Sequence, residues 1–116
     1  MSDFRDGEQR RQYFRLPYPA SEQPVLACGD VEHKVVEIAE GGIRVVLKPS
    51  IALDVGDIVS GTILFHDEQT ESVSGRVLRM DASHAVVQLT LGISQHRVMQ
   101  EQAFLRKKYP NFLRKP

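Results

Sequence analysis

Between residues 24 and 91 the chain reads as strand after strand, joined by short turns with no intervening helices. This succession limits the fold more than any other feature. Val31–Ile38 alternates and is rich in β-branched residues, and Gly42–Leu47 places Ile43, Val45 and Leu47 on one face with Arg44 on the other. Ile58–Phe65 follows the turn signal Gly56-Asp57, while Glu71–Met80 and Ala85–Leu91 flank Asp81-Ala82-Ser83-His84, which predicts a hairpin. Five or six short strands joined by turns, without crossover helices, predict a mainly all-β fold, an antiparallel sheet closed into a small barrel. Gly61 and Gly75 fall inside strands, where a small barrel needs sharp bends.

The pattern changes after Gly92. Ser94 is a suitable N-cap, and Val98, Leu105, Tyr109 and Phe112 fall at spacings of a helical stripe. A C-terminal helix over about 94–109 is expected, ended by Pro110, its apolar stripe sealing one end of the barrel. The expected organisation is a polar, mobile tail over 1–9, a single domain over 10–112 with its barrel at about 16–92, and a basic tail over 113–116. Pro17 and Pro19 favour an extended approach to the barrel.

Charge narrows the function. The net charge is zero, but Lys and Arg gather at the two ends and Asp and Glu in the strand region. An acidic body with basic ends is a poor surface for nucleic acid, which wants a continuous basic face with aromatics for base stacking. It suits a small anion held by a few arginines. One cysteine, Cys28, excludes an internal disulfide framework, and His33, His66, His84 and His96 lack metal-ligand spacing. No phosphate-cradling loop, nucleophile elbow or zinc-protease motif appears, so a non-catalytic protein is expected. No membrane-spanning run or signal peptide is present, so a cytoplasmic location is expected.

Two segments stand out together. Arg11-x-x-x-Arg15, preceded by Arg10, comes just before the first strand, and Glu37-Ile38-Ala39-Glu40-Gly41-Gly42 lies between two predicted strands. In order and separation these resemble the Arg-x-x-x-Arg and Asp/Asn-x-Ser-x-x-Gly motifs of the PilZ domain, a bacterial receptor module for cyclic di-GMP. The resemblance spans about residues 10–112 and implies a barrel of about six strands with a C-terminal helix. It implies a receptor or adaptor that changes shape on binding cyclic di-GMP, needs no cofactor, and signals to a protein effector in motility or biofilm control, as a monomer or ligand-dependent dimer.

By this resemblance the ligand contacts are Arg10, Arg11, Arg15, Glu37, Ala39, Gly41 and Gly42. Arginine offers planar donors that match phosphate oxygens and the guanine edge, and a flat face that stacks on a base. A carboxylate in the turn accepts from guanine N–H groups, and glycine supplies close approach and unusual torsions. Two positions depart from the motif: Glu37 replaces Asp or Asn, and Ala39 replaces Ser. The departures leave a second reading, a PilZ-like protein-interaction module that has lost the nucleotide, whose basic helix docks an acidic partner.

Overall fold

The computed structural model describes residues 15–49 and 51–112. Seven strands run in order: β1 (Leu16–Pro17), β2 (Val25–Cys28), β3 (Val31–Ala39), β4 (Gly42–Val46), β5 (Ile58–Leu64), β6 (Thr70–Asp81) and β7 (His84–Leu91), followed by helix α1 (Gln95–Lys108). All pairings are antiparallel, in the order β1-β3-β2-β5-β6-β7-β4, and a further β3–β4 pairing closes β2–β7 into a six-stranded barrel. The barrel with its C-terminal helix is the fold that the strand pattern predicts.

β1 and β2 lie on the same edge of β3. Pro17 pairs with Glu37 and Val25 with Lys34, while Tyr18 N–H donates to the Val36 carbonyl and Val35 N–H to that of Pro24. Residues between them leave this line and form a 3-10 turn, Ala20–Glu22. There the Glu22 carboxylate accepts from Lys108 Nζ at 2.8 Å and from Tyr109 Oη at 2.7 Å, clipping this excursion to the end of α1. The prolines thus give an extended approach broken by one 3-10 turn.

Inward alternation builds the core. Leu26, Val35, Ile38, Val45, Ile63 and Val87 are almost fully buried, and Val98 and Leu105 of α1 join the same cluster. Each such side chain contributes about 1.5–3 kcal/mol by leaving water. Gly61 and Gly75 allow close crossing, and the β6–β7 register shifts between Ser74 and Gly75. A Cβ added at Gly75 would lie 2.0 Å from the Gln88 carbonyl oxygen, and one at Gly61 would lie 2.3 Å from that of Ala27.

The helix departs from the expected apolar stripe. Ser94 caps it, its Oγ accepting from Arg97 N–H. Between buried Val98 and Leu105, however, sits Glu101, which is fully buried, beside Arg97, which is 6% exposed. Phe112 lies beyond the helix and is exposed. Glu101 Oε1 accepts from Tyr18 Oη at 2.6 Å, while Oε2 accepts from Arg97 Nη1 at 3.1 Å and lies 2.8 Å from His66 Nε2. His66 stacks flat on Phe104, and the Arg97 guanidinium lies over the Phe65 ring. The helix is thus docked through a polar centre within an apolar face, and Tyr18 ties that centre to β1.

Burial, and then the Glu101 carboxylate beside it, push the Tyr18 phenol well above its usual range. A group whose value is raised on folding contributes stability that is complete below its unfolded value, about pH 10 here, and is lost as pH rises further. Tyr18→Phe is expected to lose about 1–3 kcal/mol at neutral pH, because Glu101 Oε1 is left without its donor. It is also expected to flatten the fall in stability above about pH 10. Urea unfolding of both proteins at pH 8 and pH 11 checks this; an unchanged alkaline slope would contradict it.

Candidate functional site

Two bulges build the site. Along β3, Val35 pairs with Val45, but the next pair is Glu37 with Arg44, so β3 carries one extra residue. Strict alternation from buried His33 and Val35 would aim Glu37 inward; the bulge sends Ile38 into the core and turns Glu37 outward. On β6, Val77 pairs with Val87 and Arg79 with Val86, again with one extra residue. Arg79, in phase with buried Val73 and Val77, is thereby turned to the outer face. The two bulges align, and Glu37, Arg44, Val86 and Arg79 form one row across β3, β4, β7 and β6.

A pocket of about 310 Å³ lies over this row. Its lining includes Arg15, Glu37, Ala39, Gly41, Gly42, Arg44, Leu78, Arg79 and Gln88. The structure therefore brings together five of the seven residues singled out in the sequence; Arg10 and Arg11 lie outside the described residues. Arg15 stands just before β1, its side chain 74% exposed and its Nε 4.0 Å from Glu37 Oε2. The other Glu37 oxygen lies 3.6 Å from Arg44 Nε.

The β3–β4 turn, Glu40-Gly41, forms one wall and is pinned to β7 by a bond from Leu89 N–H to the Gly41 carbonyl. Neither Gly41 nor Gly42 has a left-handed φ, so the expectation of unusual torsions here is not met. At Gly42 the need is space: an added Cβ would lie 3.0 Å from the Val87 carbonyl oxygen. Ala39 pairs with Gly42 across the turn and offers only a methyl group where a hydroxyl was expected from the motif.

Sequence reading missed Arg79, Asp81 and Gln88, and it placed Arg44 on the outward face without giving it a role. Arg44 Nη1 donates to Asp81 Oδ2 at 2.8 Å, and Arg79 Nε donates to the same carboxylate at 3.3 Å. The bond from Arg44, reinforced by the nearby charges of Arg79 and Arg44, holds the Asp81 carboxyl below its usual range. The alternation of Gly42–Leu47 was the available signal for Arg44; Arg79 was hidden because its phase changes at the bulge. Arg15, Arg44 and Arg79 against Glu37 and Asp81 leave the pocket with a net positive charge, which suits an anion.

Among the described residues, no helix is long and apolar enough to cross a membrane. Among curated proteins no match is found. Of solved structures, the Bacillus subtilis inhibitor of motility (MotI/DgrA) is similar to this chain, with a TM-score of 0.59 and 20% identity, over 91% of this chain and 54% of that one. The chain thus spans about half the length of that protein, and the likeness concerns the fold. The PilZ domain family matches residues 9–106, the whole strand region and most of α1. The chain belongs to the PilZ domain family.

Proposed function

We propose that this chain is a non-catalytic receptor for cyclic di-GMP, which rests the nucleotide on the outer shelf of the barrel and signals to a protein partner. The observation that carries the reading is the gathering of Arg15, Glu37, Gly41 and Gly42 around one pocket with a surplus of guanidinium groups. A doubly anionic ring with flat guanine faces matches this arrangement: phosphate for the arginines, and a base edge for Glu37 beside the closely packed Gly42 turn. Arg10 and Arg11 extend the arm that closes over the ligand, and the change of shape there is what a partner reads. Motility control is the output suggested by the named fold neighbour, and the cytoplasm is the compartment where such a messenger is met.

A second reading, a PilZ-fold interaction module without nucleotide, is favoured by one observation: Glu37 already faces Arg44 and Arg15, and Ala39 brings no hydroxyl. Calorimetry of the wild type and of Glu37→Asp with Ala39→Ser separates the two. Each lost hydrogen bond weakens binding by about 0.5–1.5 kcal/mol, so a working receptor tightens by roughly 3- to 100-fold when the motif is restored. A wild type that gives no heat at high micromolar ligand, with binding only in the restored variant, would establish the second reading instead.

A further inference from the structure

One carboxylate outside the family motif does not line the pocket but bonds two residues that do. Asp81 ends β6 at the Ala82–Ser83 turn and bonds guanidinium groups from two strands that are separated by β7: Arg44 on β4 and Arg79 on β6. Arg44 is the more constrained of the two. Its Nη1 is bonded to Asp81 and its Nε faces Glu37, so no two-donor edge is left for a phosphate. Arg79 is held through Nε, and its side chain is 53% exposed. The Asp81 side chain is itself 36% exposed, and an exposed ion pair of this kind is weakly held, so water can take the carboxylate at little cost. A phosphodiester offers the same two-oxygen geometry with a full charge and can replace it.

We infer that Asp81 is a competing gate on this anion site: it occupies Arg44 and Arg79 until a phosphodiester of the nucleotide displaces it, and so sets the affinity of the shelf. The inference rests on the receptor reading and adds Arg44 and Arg79 to the ligand contacts as a strand-borne phosphate pair. It also explains why a bulge turns Arg79 outward, beside the row that Glu37 and Arg44 already share.

The test is titration of the full chain with cyclic di-GMP at fixed salt, using wild type, Asp81→Asn, Arg44→Gln with Arg79→Gln, and all three changes together. Asparagine matches aspartate in shape and suits a turn, and unchanged thermal melting verifies that the fold is kept. Asp81→Asn is expected to tighten binding about threefold to tenfold, and this gain is expected to vanish when both arginines are removed. Unchanged or weaker binding in Asp81→Asn overturns the gate, as does a gain that persists without the arginines. If the wild type does not bind, the receptor reading fails on its own; binding that appears only in Asp81→Asn then upholds the gate, and silence in both variants overturns it.

Discussion

Glu101→Ala is expected to destabilise the protein by about 3–5 kcal/mol and to lower its melting temperature by on the order of 10–25 °C. Glu101 is fully buried and accepts from the Tyr18 hydroxyl and the Arg97 guanidinium, with His66 Nε2 2.8 Å from its second oxygen. Removing it leaves Arg97, 6% exposed, with Asp67 at 3.1 Å as its remaining hydrogen-bonded carboxylate, and leaves the Tyr18 hydroxyl without an acceptor. The loss combines a buried charge stripped of its most buried partner, with Asp67 and Glu71 (3.9 Å) remaining, and a buried hydroxyl left unpaired. Replacing both charges, Arg97→Met with Glu101→Leu, is therefore expected to recover part of the stability, the Tyr18 hydroxyl still lacking its acceptor. Thermal melts of the two variants decide it, and a fall of less than about 2 °C for Glu101→Ala would contradict this account of how α1 is held.

Arg15→Ala is expected to behave oppositely, with a small effect on stability and a large one on binding. Its side chain is 74% exposed and stands off from Glu37 at 4.0 Å, so its loss is worth about 0.5 kcal/mol or less to the fold. The backbone next to it is anchored by Leu16, fully buried, and by Pro17 pairing with Glu37, so the start of β1 keeps its place. Hydrogen bonds to a charged ligand are worth about 1.5–3 kcal/mol, so affinity for cyclic di-GMP is expected to fall roughly 10- to 150-fold. An unchanged dissociation constant, measured beside an unchanged melt, would remove Arg15 from the site.

Much of this architecture was legible because alternation is a local signal. Ile43, Val45 and Val87 declare an inward face within a few residues, and the Ala82–Ser83 turn lies where the hairpin was expected. The bulges were not legible, since an extra residue leaves composition and β-propensity untouched and only shifts phase. Glu37 and Arg79 owe their outward positions to that shift. The role of Glu101 was hidden for a different reason. Its hydroxyl partner, Tyr18, lies 83 residues away, held against β3 by its own N–H bond to the Val36 carbonyl, and only the tertiary fold brings them together. Read alone, Glu101 was the one acid in a basic segment; folded, it is the point on which the helix, His66 and β1 meet. The phosphate-facing role inferred for Arg44 depends likewise on register, because Asp81 reaches it across β7.

The central claim is that one nucleotide shelf lies over the row Glu37–Arg44–Val86–Arg79, and two-dimensional NMR of the full chain during a cyclic di-GMP titration tests it most directly. The account predicts saturable shifts concentrated at Arg15, at residues 37–44, at Arg79 and at residues 86–88, with smaller changes reaching Tyr18. Spectra that stay unchanged at high micromolar nucleotide, or that move only on the exposed face of α1 around Met99 and Lys107, would contradict it.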